Sequence, residues 1–301
     1  MVSLSPVILF TYNRPEHVGR AVSSLLSNPE AAETDLIVYS DGARGDSDKA
    51  GVEASRRLAR EISGFKTVTI VERERNMGLA ANVIYGVTEV VNRYGRVIVV
   101  EDDLIVSPFF LRFMNDALDC YADEPRVGHI QACDFTGDKL LPDTFLIKFT
   151  GSWGWATWQR AWRLFNADGS ALLSEMERRG LTREFDFNGA YPFTRMLRRQ
   201  IAGITNSWAI RWNASLFLAD VLSLNIGGAT LVKNNGFDGS GTNCGDEDDL
   251  YDSNFATAPI RVNKILPIEE NSEARHAFER YYRRTNSLLA KAKRRIRRLF
   301  K

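Results

Sequence analysis

Short aliphatic runs alternate with helical patterns between Val7 and Val100, and this alternation constrains the fold more than any other feature. Val7-Ile8-Leu9-Phe10, Leu36-Ile37-Val38-Tyr39, Val68 to Val71 and Val97-Ile98-Val99-Val100 read as strands, and the four consecutive aliphatic residues of the last mark a strand buried on both faces. Pro15 opens a helix that carries Val18, Ala21, Val22, Leu25 and Leu26 on one face. A polar helix follows from about Asp46 to Ile62. Gly78 introduces a third, with Leu79, Val83, Val87, Val90, Val91 and Tyr94 in register. Ser107 and Pro108 take the N-cap and N1 positions of the next helix. Strands separated by single helices need right-handed crossovers, so the expected class is α/β, with a mostly parallel central sheet flanked by helices.

Open sheets of this kind bind ligands in the crevice beyond the carboxyl ends of their strands. Four polar groups stand at those ends: Thr11-Tyr12-Asn13-Arg14, Ser40-Asp41-Gly42, Arg75-Asn76-Met77-Gly78 and Glu101-Asp102-Asp103. Independent surface loops would have no reason to share that placement. Arg14 suits a phosphate, Asp41 can accept from a base N–H, and Gly42 and Gly78 allow close backbone approach. Three adjacent acids repel one another and call for a cation. Mg²⁺ or Mn²⁺ takes one or two carboxylates plus phosphate oxygens and fits the need. A solvated acidic turn is the alternative. The chain lacks GxGxxG and GxxxxGK[ST], which argues against dinucleotide and P-loop sites.

After Thr150 the pattern changes. Trp153, Trp155, Trp158 and Trp162 crowd together, and helical segments follow over Pro192 to Ile201 and Ser207 to Ala219, the second containing Trp208 and Trp212. This divides the chain into residues 1–150, a second part over 151–275, and a tail over 276–301, with the second part packed onto the first. Trp155 and Trp158 are expected in the core and Trp153 nearer the site. The run Asp246-Glu247-Asp248-Asp249 lacks the alternate-residue spacing of a Ca²⁺ loop. His17, His129 and His276 have no partner spacing.

The net charge of +1 hides an asymmetry, because Arg280 to Lys301 contains ten Lys or Arg and no acid. The remainder then has 39 − 10 = 29 basic against 38 acidic residues. Phe278, Tyr281, Tyr282, Leu288, Leu289, Ala292, Ile296, Leu299 and Phe300 recur in the tail at helical spacing. A basic amphipathic helix on an acidic body reads as attachment to an anionic membrane surface, against the alternative of a terminal helix packed on its own domain. Nucleic acid is not expected as a partner, since the acidic body would repel phosphate. No run approaches the roughly 18 apolar residues of a membrane span. No secretion signal is recognised at the start, and Cys120, Cys133 and Cys244 form no even framework, which suits a reducing cytoplasm.

The segments 7–15 (Val-Ile-Leu-Phe-Thr-Tyr-Asn-Arg-Pro), 39–42 (Tyr-Ser-Asp-Gly), 76–80 (Asn-Met-Gly-Leu-Ala) and 101–104 (Glu-Asp-Asp-Leu) resemble the GT-A glycosyltransferases. The match is especially to bacterial family-2-like enzymes and to the branch containing the Golgi mannoside N-acetylglucosaminyltransferase. Segments 151–158 and 236–242 also look like the bacterial members, so the resemblance covers nearly the whole chain except the basic tail. It implies a GT-A, Rossmann-like donor part and a helical, Trp-rich acceptor-side part. By resemblance, Thr11, Asn13, Arg14, Asp41, Asn76, Gly78, Glu101 and Asp102 would bind the nucleotide sugar, and Asp103 would hold Mn²⁺ or Mg²⁺. Trp153, Gly154 and Trp208 would meet the acceptor.

Two positions depart from the pattern. Asn206 stands where related sequences begin a helix with an acid, and it cannot act as a base. Asn243 stands where relatives often carry a metal- or phosphate-binding His. Asp186, Asp238 or Asp246 is the expected substitute for the base. The implied activity is metal-dependent, inverting transfer from a nucleotide diphosphate sugar, UDP-linked, to a saccharide or lipid-linked saccharide at the inner membrane face. The rivals are a sugar-1-phosphate nucleotidyltransferase, for which Thr11 to Pro15 supplies no glycine-rich phosphate loop, and a non-catalytic sugar-nucleotide-binding protein.

Overall fold

A computed structural model describes residues 4–237 and 254–287. The expected strands form, each longer than its aliphatic core: β1 (Val7–Thr11), β2 (Asp35–Ser40), β3 (Thr67–Glu72) and β4 (Arg96–Glu101), with α1 (Pro15–Leu26), α2 (Asp46–Arg60) and α3 (Leu79–Tyr94) between them. A short strand β5 (Leu104–Val106) intervenes before α4 (Phe110–Cys120). That helix therefore starts later than Ser107-Pro108 predicts, and the Ser107 hydroxyl instead accepts from the Phe109 N–H at 3.2 Å. The order continues through β6 (Val127–Gln131), β7 (Thr144–Ile147), β8 (Trp155–Trp158), α5 (Gln159–Trp162), α6 (Gly169–Arg178), α7 (Thr182–Phe185), α8 (Phe193–Ile201) and α9 (Trp208–Leu218). It ends with β9 (Leu222–Ile226), β10 (Val232–Asn234) and α10 (Ser272–Asn286).

One eight-stranded sheet has the order β3-β2-β1-β4-β8-β6-β9-β7, and β10 pairs with β5 in a two-stranded ribbon. The main sheet is continuous across residue 150, because β8 pairs antiparallel with both β4 and β6. β7 is the other reversed strand, and the remaining pairings are parallel. The chain winds outward from β1 through β2 to β3, then returns to place β4 on the other side of β1. The topological switch point, where such sheets open a ligand crevice, therefore lies between β1 and β4.

Alternation along β1 splits the core. Val7 and Leu9 face a cluster shared with α1 and α4, whereas Ile8 and Phe10 face one built from α3, Trp155, Trp162, Trp208 and Trp212. A third cluster is rich in phenylalanine and contains Phe145, Phe149, Phe185, Phe187, Phe193 and Phe217. α10 covers it with Ala274, Ala277, Phe278, Tyr281 and Tyr282. This corrects the reading of the tail: the described part of its apolar face is in contact with the protein's own core. Residues 288–301 lie outside the described residues. Among the described residues, no helix is long and apolar enough to cross a membrane.

The tryptophan-rich core also buries His129, which stacks on Trp155 with ring centroids 5.4 Å apart. The Trp212 indole N–H donates to His129 Nδ1 at 3.1 Å, so Nε2 carries the proton and faces Gln131 Oε1 at 3.3 Å. Gln131 Nε2 in turn donates to the Trp153 carbonyl at 2.7 Å. Burial lowers the His129 pKa from 6.5 to about 3. Its contribution to stability is therefore complete above the unfolded value and is lost as pH falls from there toward the folded value. Wild-type unfolding free energy should fall by up to about 1.4 kcal/mol per pH unit more steeply than that of His129→Gln below about pH 6.5. Parallel denaturant curves for the two proteins over that window would contradict a buried neutral imidazole.

Candidate active site

Three backbone bonds carry the pairing of β1 with β2, β1 with β4 and β2 with β3 past the strand ends. Asp41 N–H donates to the Thr11 carbonyl at 3.0 Å, Asp102 N–H to the Phe10 carbonyl at 3.0 Å, and Arg73 N–H to the Ser40 carbonyl at 2.9 Å. The four polar groups read from the sequence are thereby fixed along one edge. Arg14 spans the switch point, its Nη2 paired with Asp102 Oδ1 and lying 3.2 Å from Asp103 Oδ2. The Tyr12 N–H adds a bond to Asp102 Oδ2 at 3.3 Å.

One guanidinium faces three carboxyl groups. Burial raises the pKa of Glu101 well above the usual carboxylate range, and the charges of Asp103 and Asp102 raise it further against the pull of Arg14. Burial also raises Asp102, with Arg14 opposing. Burial disfavours the Arg14 cation, but Asp102 and Asp103 outweigh it and hold its pKa above the ordinary value. The raised values mark a crowding of acids that one guanidinium does not fully compensate, and a second cation would favour their charged forms. Among the described residues, no three His, Cys, Asp or Glu converge as a preformed metal cage. A divalent ion held by one or two carboxylates and by phosphate oxygens needs no such cage, so the acids fit it. Two donors next to them lack partners: Arg14 Nη1 and the Thr11 hydroxyl are buried with no hydrogen bond.

Asp41 occupies a different place from the one expected. Its Oδ1 accepts from the N–H groups of Gly42 at 2.9 Å and Met77 at 2.8 Å, and its Oδ2 accepts from Gly78 N–H at 2.9 Å and Asn76 Nδ2 at 3.2 Å. All four acceptor sites of the carboxylate are filled, so it organises the 75–78 loop and presents none to a base N–H. Asn76 Nδ2 also donates to the Gly42 carbonyl at 2.8 Å. Glycine is required at 42, where a Cβ would stand 2.4 Å from the Arg75 carbonyl carbon. Gly78, with φ +75°, starts α3 in a conformation that side chains resist.

Several contributors were not legible. Asp48, on α2, accepts from the Tyr12 hydroxyl at 2.6 Å and from Asn13 Nδ2 at 3.2 Å, which fixes the 12–14 loop. Nothing in the sequence separates it from the neighbouring acids of a polar helix. β10 brings Asn234, Asn235 and Gly236 against the acidic turn, with the Asn235 N–H donating to the Asp103 carbonyl at 2.6 Å. Gly236 lies so close that a Cβ there would stand 2.9 Å from Asp103 Cβ. The Asn-Asn-Gly string was the available signal.

Beyond β4, Val99 pairs with Trp155 of β8, so the loop ending at Gly154 enters β8 at the same edge as Glu101. Trp153 is half-buried between Phe135 and Phe237, at 5.7 and 5.8 Å. Gly154 is buried, and Trp155 and Trp158 lie in the core. Trp208 is 4% exposed and stacked on Trp155 at 5.1 Å, which makes it a core residue and leaves little surface for a sugar. Asp186 Oδ1 accepts from Thr194 N–H at 2.6 Å and its hydroxyl at 2.8 Å, so this carboxylate caps the start of α8. Burial raises its pKa, against those bonds. Asp238, Asn243 and Asp246 lie outside the described residues.

Asn206 adjoins a buried cation. Arg211 donates to the carbonyls of Ser207 at 3.1 Å and Ala167 at 3.2 Å, and its Nη2 faces Asn206 Oδ1 at 3.4 Å. Burial lowers its pKa, and no carboxylate pairs with it among the described residues. Asn206→Asp should therefore raise unfolding free energy by about 1 kcal/mol through a charge-assisted bond, measured in urea. Turnover should not fall; a large loss would mean that position 206 is misassigned to the acceptor side.

Residues 7–136 match the profile of glycosyl transferase family 2. The matched segment contains β1 through β6 and all four polar groups, the acidic turn among them. A comparison with curated proteins gives no match. Among solved structures, the chain is similar to a mannosyltransferase from Pyrobaculum calidifontis in complex with GDP-Man and Mn²⁺, at 15% identity over 71% of this chain and 74% of that one, TM-score 0.40. An active-site mutant of LgtC gives 10% identity over 72% of each chain, TM-score 0.42. S. aureus TarS gives 18% identity over 46% of this chain and 23% of that one, TM-score 0.30. At these identities and scores the likenesses carry no argument about this chain. The family 2 segment agrees with the α/β fold expected from the resemblance.

Proposed function

We propose that the protein is a metal-dependent, inverting glycosyltransferase that moves a hexosyl or N-acetylhexosaminyl group from a UDP-linked sugar to a saccharide or lipid-linked saccharide. One observation carries the reading: within the family 2 segment, Arg14, Asp102 and Asp103 meet across the switch point beside two buried donors without partners. Asp103, with Asp102 beside it, would hold Mn²⁺ or Mg²⁺, and such an ion stabilises charge developing on a leaving diphosphate. Arg14 Nη1 and the Thr11 hydroxyl would donate to the phosphates. Asp48 holds the 12–14 loop that presents Arg14, and Asp41 holds the neighbouring 75–78 loop. Trp153 would border the acceptor.

A second reading has specific support. Asn206 is not a base and Asp186 serves as a helix cap, which favours a sugar-nucleotide binder without transfer. Incubation with a panel of nucleotide sugars and Mn²⁺ separates the two. Release of the nucleoside diphosphate from one donor supports the enzyme; UDP binding with neither hydrolysis nor transfer across the panel supports the binder.

A further inference from the structure

A pocket of about 490 Å³ lies between the 136–140 loop and the outer face of α10, lined by Lys139, Leu140, Arg280, Tyr281 and Arg284 among others. Arg280 pairs with Asp138 at 3.0 Å. Lys139 and Arg284 have no carboxylate partner among the described residues, so three cations face one acid. Arg280 and Arg284 are four residues apart on one helix face, where like charges destabilise the helix unless an anion answers them. Leu140 stands at this rim 91% exposed, the most exposed large hydrophobic residue among those described. Meanwhile Phe278, Tyr281 and Tyr282 are buried, so α10 offers the outside its basic flank and not its apolar face.

A basic cluster in excess of its one acid, beside a leucine left in solvent, matches a bilayer interface, where phosphate meets acyl chain. A soluble phosphorylated ligand would make no use of Leu140. We infer that this pocket docks the phosphate headgroup of an anionic lipid, with Leu140 entering the interface beside it. The inference gives a location to the membrane contact that the tail composition suggests, and it does not depend on the transfer reaction.

The test is co-sedimentation of the full chain with vesicles of phosphatidylglycerol and phosphatidylcholine in equal parts, alongside vesicles of phosphatidylcholine alone. Wild type should partition onto the anionic vesicles, and Lys139→Ala with Arg284→Ala should weaken partitioning about thirtyfold, as expected for two basic residues at an anionic surface. Leu140→Ser should weaken it several-fold without altering its salt dependence. Arg57→Ala with Arg93→Ala removes equal charge from α2 and α3 and should have little effect. An equal loss in that control would reduce the effect to net charge and overturn the site. Undiminished binding by the pocket variant would overturn it too, as would inorganic phosphate displacing wild type from the vesicles at millimolar concentration, which would mark a free-anion site. Donor hydrolysis and melting temperature, followed in all variants, keep this outcome separate from the fate of the enzyme assignment.

Discussion

Replacing Asp103 with alanine should lower Mn²⁺-dependent affinity for UDP at least about a hundredfold, more than is lost when a residue that only supports a metal ligand is removed. It should do so without lowering the melting temperature. Glu101, Asp102 and Asp103 share one guanidinium, and the charge of Asp103 is among the causes that raise the pKa of Glu101. Alanine removes that repulsion and leaves Arg14 paired with Asp102. It also keeps the Cβ that Gly236 approaches and the backbone carbonyl that accepts from Asn235. The acidic turn and its ribbon partner β10 should therefore persist. Calorimetric titration of UDP with and without Mn²⁺, paired with thermal melts, reads both quantities. Unchanged affinity would refute the metal assignment. Lost affinity together with a melting temperature lower by more than about 5 °C would make Asp103 a structural residue.

The contrast between Asp103 and its neighbours shows where the sequence is informative. The four parallel strands were legible to within a residue because a strand buried on both faces must be apolar at consecutive positions, and β1 and β4 are so buried. Their polar ends followed from topology alone. The six strands from β5 to β10 were not read from the sequence. They span three to five residues, and their partners lie far away in the chain, as Leu104 does from Asn234. Such pairings are decided by tertiary packing rather than by local pattern. In the tryptophan-rich stretch, Trp155 and Trp158 were expected in the core and lie there, whereas Trp208, expected at the acceptor, stacks on Trp155 and is buried with it. The tail showed its helical period plainly, but the surface its apolar face would meet was not written in that period.

The same distinction separates a residue that touches a ligand from one that shapes the loop touching it. Asp41 is the case to measure. Asp41→Ala would leave the N–H groups of Gly42, Met77 and Gly78 and the Asn76 amide without their acceptor. At about 1–3 kcal/mol for each donor left unsatisfied in a buried setting, and with part of the loop reached by water, the expected loss of stability is about 3 kcal/mol. Asp41→Asn should rescue only part, because its amide oxygen can accept two of the four bonds while its NH2 faces groups that are themselves donors. Asn76→Ala removes one of the four donors and should cost about 1 kcal/mol. UDP affinity should fall with stability in the Asp41 variants, since the 75–78 loop lines the crevice and loses its anchor. Urea unfolding and calorimetry on one set of variants decide the matter. If Asp41→Ala keeps wild-type stability and loses only affinity, the carboxylate turns from the loop to the ligand, and the expectation drawn from the sequence is restored.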